Sequence, residues 1–177
     1  MNESSEDFHK RVIDALEQSD ARTREDRAAR LIWLSAQPAT PSAFAGRFEQ
    51  LNLLEELRTC FTYGSYIATL LTATAFVEQT LVEELLIRAD PGPRRTLAQA
   101  IQSARAAGFL SSSLLDRADQ LRKVRNPLGH YRDNEDPETI VNRFRKAGRH
   151  PTSILEEDAK HAVELVYELF FCTLRGA

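Results

Sequence analysis

Apolar residues recur every three or four positions along most of the chain, the spacing that gives a helix one face to bury. Residues 7–18 place Phe8, Val12, Ile13 and Leu16 at that spacing, and residues 22–36 repeat it with Ala28, Leu31, Ile32 and Leu34. The pattern predicts two short amphipathic helices. Pro38 and Pro41 then interrupt it and place a linker at 37–41, and a proline in the first turn can start the next helix, over 42–59, through Phe44, Phe48, Leu51, Leu54 and Leu57. The longest pattern covers 63–89: it is apolar nearly all round from Tyr66 to Phe76, then amphipathic through Val82, Leu85 and Leu86. It predicts the longest helix at the centre of the core, with Leu70, Leu71, Phe76, Leu81 and Leu85 buried. Asp90-Pro91-Gly92-Pro93 cannot continue a helix and marks a turn.

A further helix is expected over 96–107, closed by Gly108 in a left-handed cap, and Ser111 to Ser113 offer N-cap side chains to the next one. That helix carries Leu114, Leu115, Leu121 and Val124 and runs into Pro127, where a kink or a helix end is expected. Residues 133–137 read as loop, 138–146 as a short helix, and Gly148 to Pro151 as a break before a final helix over 154–174.

Composition sharpens this picture. Among 177 residues there are only seven glycines and seven prolines, and Ala, Leu, Glu and Arg fill long stretches where the alternation of strands is missing. The expected fold class is all-α, with residues 1–41 as an N-terminal helical extension and 42–177 as the main helical domain. Its 42% hydrophobic and 28% charged residues suffice for a core. No apolar run reaches the roughly 18 residues of a membrane span, because the best candidate, from Tyr66 to Val77, carries three threonines and meets Glu78. The acidic, polar start of the sequence does not resemble a secretory signal, so a cytoplasmic protein without membrane contact is expected. Two cysteines, Cys60 and Cys172, cannot build a disulfide framework or a four-thiolate zinc site, and both are expected as small buried hydrophobes.

Charge is uneven. The net value is −3, yet from Arg88 to Arg149 there are 13 Lys or Arg against 7 Asp or Glu, a window of +6 that leaves −9 for the remainder. A locally basic surface on an acidic protein favours one polyanion contact over general coating of nucleic acid. No two of the four histidines share the spacing of a helical zinc pair, and glycine-rich phosphate loops and serine-nucleophile elbows are missing, so neither metal nor cofactor is expected. The unusual segment is Leu121-Arg122-Lys123-Val124-Arg125-Asn126-Pro127-Leu128-Gly129-His130-Tyr131-Arg132. In an ideal helix the five steps from Arg125 to His130 turn about 500°, or about 140° beyond a full turn, so the two side chains point apart. Pro127 and Gly129 are the residues that permit a bend, after which both could address one phosphate. Histidine exchanges protons near neutral pH and arginine grips phosphate oxygens with a planar fork, a combination suited to phosphodiester cleavage.

The run Arg125-Asn126-Pro127-Leu128-Gly129-His130 resembles the signature of the HEPN superfamily, an arginine followed by a polar residue and, four to six positions on, a histidine. The flanking Arg122-Lys123 and Tyr131-Arg132 are similar too, and the likeness extends over roughly 63–174. The resemblance implies a helical bundle, commonly a homodimer, in which two copies of the motif meet as a composite active site that cleaves RNA without a metal. Carried over, Arg125 would hold the scissile phosphate, Asn126 would orient it, and His130 would exchange protons, with Arg122, Lys123 and Arg132 as RNA-binding cations. A ribose 2'-hydroxyl would attack the adjacent phosphate and leave a 2',3'-cyclic phosphate and a 5'-hydroxyl. Host defence or a toxin system, with an antitoxin or other defence partner protein, is the physiological setting the family suggests. The family's nucleotidyltransferase-paired toxins carry a tyrosine two residues after the histidine; here Arg132 stands there, which departs from that subclass. The other expectation is a non-catalytic helical module that binds RNA or a partner protein.

Overall fold

The computed structural model describes residues 5–38, 48–88, 96–133 and 135–173. The chain divides into two compact units, Met1–Ala36 and Gln37–Ala177. The described residues form seven helices and no strand, an all-α fold.

The first unit holds one helix, α1 (Ser5–Ser35). At 31 residues it replaces the two short helices expected over 7–18 and 22–36, and it, rather than the central helix, is the longest. The reason is local. Ser19-Asp20-Ala21 interrupts the apolar pattern, but it contains neither glycine nor proline, so nothing breaks the backbone ladder. Thr23 Oγ1 donates to the Ser19 carbonyl at 3.2 Å, and Arg27 pairs with Asp20 at 2.8 Å across that lapse. Phe8, Val12, Ile13 and Leu16 are exposed.

The second unit contains α2 (Phe48–Thr62), α3 (Tyr66–Arg88), α4 (Leu97–Ala107), α5 (Ser112–Gly129), α6 (Ile140–Ala147) and α7 (Pro151–Thr173). Helix α3 is the hub and packs against α2, α4, α5 and α7, while α6 rests on α7. Leu70, Phe76, Leu81 and Leu85 are fully buried there, as the pattern predicts. Leu71 is not: it keeps 37% of its surface in solvent, on the strip it shares with Ile67 one turn earlier. An apolar run that looks uniform in sequence is thus sided in the bundle, because neighbouring residues lie about 100° apart around the axis. The helix also starts later than 63. Gly64, at φ 72°, ends α2 with its N–H on the Phe61 carbonyl at 3.0 Å and the Ser65 N–H on the Cys60 carbonyl at 2.9 Å. Cys60 is half-buried and Cys172 exposed, so the pair of buried hydrophobes is not what forms. Burial, and after it the charge of Glu56, pushes the Cys60 thiol up.

The expected stop at Asp90-Pro91-Gly92-Pro93 and the start of the helix expected over 42–59 lie outside the described residues. Downstream, local chemistry sets each boundary. Thr96 and Gln99 form a reciprocal capping box on α4, and Gly108 closes it in the left-handed conformation at φ 68°. Ser111 Oγ accepts the Leu114 N–H at 3.2 Å to open α5. Gly148, at φ 64°, closes α6, and Pro151 opens α7 three residues before the predicted start, since a proline in the first turn forgoes no intrahelical bond. Among the described residues no helix is long and apolar enough to cross a membrane.

Candidate active site

Helix α5 carries the unusual segment through to Gly129 with Pro127 inside it, so of the kink or helix end expected there, the end falls two residues later. The proline has no N–H to give to the Lys123 carbonyl, so one intrahelical bond is missing there, close to the end of the helix. The change of direction comes at His130. Its φ of −140° and ψ of 141° are extended, while its N–H still donates to the Asn126 carbonyl at 3.0 Å. Leaving the helix at this point turns the imidazole back toward Arg125, whose Nη1 lies 3.3 Å from His130 Nε2. In this contact the guanidinium donates and Nε2 accepts, which places the ring proton of a neutral imidazole on Nδ1.

Gly129 contributes differently from the expected bend. It is helical, and the Arg125 guanidinium lies along it, so that a Cβ added there would meet Arg125 Cζ at 3.6 Å. Arg125 Nε is buried and has no hydrogen-bond partner. The head group is thereby fixed against the helix end, with Nη1 directed at the histidine.

Arg125, Asn126 and His130 line one cleft of about 460 Å³, together with Arg122 from α5, Thr74 and Glu78 from α3, and Thr96, Leu97 and Ala98 at the start of α4. Leu97 and Ala98 begin their helix, so their N–H groups have no acceptor within it and the positive end of the helix dipole adjoins the cleft. The arrangement offers an anion one guanidinium, one imidazole and a helix terminus on adjoining walls.

The other sequence-selected cations separate. Arg122 lines the cleft but is held by Asp119 at 2.8 Å, and Lys123 reaches the same carboxylate at 2.9 Å without lining the cleft. Burial raises the Asp119 carboxyl, but the hydrogen bonds from Lys123 and Arg122 outweigh it and hold the group below the usual carboxylate range. Arg132 lies 3.8 Å from Asp136 and is absent from the lining. Elsewhere in the basic window, Arg105 pairs with Asp116, Arg143 with Asp158, Arg149 with Glu157 and Arg117 with Glu168. Several of these carboxylates come from α7, beyond the window, and so the surplus of +6 does not stand as an open field. Arg125 has no carboxylate partner among the described residues.

Of three glutamates on α3, Glu83 accepts from Gln50 at 2.6 Å and Glu84 from Arg88 at 2.7 Å; only Glu78 lines the cleft. From sequence, Glu78, Glu83 and Glu84 are all three candidates for a polar group in the site and are left out of it, because glutamates on a helix face are more often solvated. Glu78 lies 47 positions before Arg125, and only packing of α3 on α5 joins them. Comparison of the chain with family models, with curated proteins and with solved structures finds no match.

Proposed function

We propose that this chain is a metal-independent endoribonuclease of the HEPN type. The observation that carries the reading is the 3.3 Å contact between Arg125 and His130 in a cleft that also presents Asn126. A phosphate oxygen entering between the two side chains accepts from Arg125 and, once Nε2 carries a proton, from His130, replacing a cation–imidazole contact with two charge-assisted hydrogen bonds. Arg125 then holds the charge that grows on phosphorus oxygens in the transition state, Asn126 orients the phosphate, and His130 exchanges a proton with the reacting oxygens. Attack by the neighbouring 2'-hydroxyl restricts cleavage to RNA and leaves a 2',3'-cyclic phosphate and a 5'-hydroxyl. The family resemblance also implies a homodimer, and a cytoplasmic defence or toxin role with an antitoxin-like partner follows from the same resemblance. Incubation of the purified protein with total RNA in EDTA tests the proposal: cleavage by the wild type, lost in His130→Ala, is expected, and equal cleavage by His130→Ala overturns it.

One observation favours a second reading. The exposed Phe8, Val12, Ile13 and Leu16 of α1 form an apolar stripe suited to a protein partner. A non-catalytic interaction module predicts no RNA cleavage and a heteromeric complex that survives His130→Ala but not Val12→Asp with Leu16→Asp.

A further inference from the structure

Cleavage by 2'-hydroxyl attack moves two protons. One leaves the 2'-oxygen as it bonds to phosphorus; another must reach the 5'-oxygen as its bond to phosphorus breaks. Arginine stays charged and can carry neither. Among the described residues of one chain the cleft holds a single histidine, and the remaining side chain on its walls able to take a proton is Glu78.

Glu78 has no evident structural work. It is half-buried on α3, one turn after Thr74, and it makes no hydrogen bond or ion pair among the described residues, whereas Glu83 and Glu84 on the same helix are both bound. Thr74, its neighbour in the cleft wall, already donates to the Leu70 carbonyl at 2.7 Å and offers no stronger acid or base. A carboxylate in a cleft that receives phosphate repels the ligand and weakens binding. Its presence there is accounted for when it handles a proton.

We infer that Glu78 is the base of this cleft, taking the proton from the attacking 2'-hydroxyl while His130 delivers one to the departing 5'-oxygen. The assignment rests on the endoribonuclease reading above. In the step, the 2'-oxygen gives its proton to the Glu78 carboxylate and forms the new bond to phosphorus. The phosphorus–5'-oxygen bond breaks, and the 5'-oxygen takes a proton from the His130 imidazolium. The enzyme is left with a protonated Glu78 and a neutral His130. Exchange with water resets both. Among the described residues, the charged groups that share the cleft with Glu78 are Arg122, Arg125 and His130, all from α5 and its cap, while the start of α4 presents Thr96, Leu97 and Ala98. Each chain thus holds an acid and a base, and two chains need not share a site.

The test uses a 5'-labelled RNA oligonucleotide containing a sequence that the wild type cuts in total RNA, followed in single turnovers across pH. The wild type should show a rate that falls on both the acid and the alkaline side, as a base and an acid acting together require. Glu78→Gln should lower the rate by about 10²-fold or more and abolish the acid-side fall, with thermal stability unchanged. Glu78→Asp, which keeps the carboxylate, should be intermediate in rate and retain that fall. Mixing Glu78→Gln with His130→Ala chains should recover nothing. A wild-type rate and pH profile in Glu78→Gln, or loss of the acid-side fall in Glu78→Asp, overturns the role of Glu78 and leaves the endoribonuclease standing. Recovery on mixing overturns the single-chain assignment in favour of a site shared between chains. No cleavage by the wild type overturns the endoribonuclease reading and this inference with it.

Discussion

Arg125 is positioned by contact with a residue that has no side chain. A methyl group at position 129 would meet the guanidinium at 3.6 Å, an ordinary van der Waals distance, and Gly129 is not at positive φ. Gly129→Ala is therefore expected to fold and to cleave RNA as the wild type does. Gly129→Leu pushes Arg125 off the helix end and should lose cleavage while circular dichroism stays unchanged. Failure of Gly129→Ala, or full activity in Gly129→Leu, contradicts the placement of Arg125. Asp119 bears on the same helix from the other direction, since it occupies both Arg122 and Lys123. Asp119→Asn frees two cations and removes one negative charge, so RNA binding should tighten and its salt dependence steepen, readable in a titration at two salt concentrations. Stability should fall by no more than about 1 kcal/mol, because all three side chains are partly in solvent. The sign with pH follows from the lowered Asp119 value: the increment is present above the ordinary aspartate range and is lost as pH falls through the folded-state value. Asp119→Asn should lack that acid-side loss.

At the scale of elements, α6 is held to α7 by one bidentate pair, Arg143 to Asp158 at 2.6 and 2.7 Å. The hydrogen bond to Asp158 outweighs burial and raises Arg143 above the usual arginine range. Asp158→Asn leaves that guanidinium half-buried with a weaker acceptor and should cost about 1–2 kcal/mol, less than a fully buried pair would. Thermal denaturation and protease cutting near α6 measure it, and an unchanged melting temperature contradicts the role of the pair. Such long-range contacts were closed to sequence reading. What was legible was local: the Thr96 cap, Gly108, Ser111 and Gly148 each act within four residues, and α4 to α7 start or end within a few residues of expectation. The division of α1 at Ser19-Asp20-Ala21 fails for an instructive reason. A lapse in the apolar face removes a packing surface, whereas ending a helix needs a backbone that cannot continue, as at Gly64. Leu71 is exposed because a sequence run does not say which side of a helix its neighbours cover.

For the whole molecule, the motif could be named from sequence but its surroundings could not. Arg125, Asn126 and His130 lie within six residues and their likeness to a known signature is visible in one line. The cleft that makes them chemistry is assembled from α3, α4 and α5, and Glu78 enters it only through that packing. The basic window likewise looks open in sequence, yet carboxylates of α5 and α7 pair with Arg105, Arg117, Arg122, Arg143 and Arg149, which leaves Arg125 as the cleft-lining arginine without a carboxylate among the described residues. On the proposed reading, RNA is engaged at this one point and cut there. The most direct measurement is the end groups of RNA cut in EDTA, resolved by mass spectrometry for the wild type and for His130→Ala. The account predicts 2',3'-cyclic phosphate and 5'-hydroxyl ends from the wild type and no cut RNA from the variant. Ends carrying 5'-phosphate, or the same products at the same rate from His130→Ala, would contradict it.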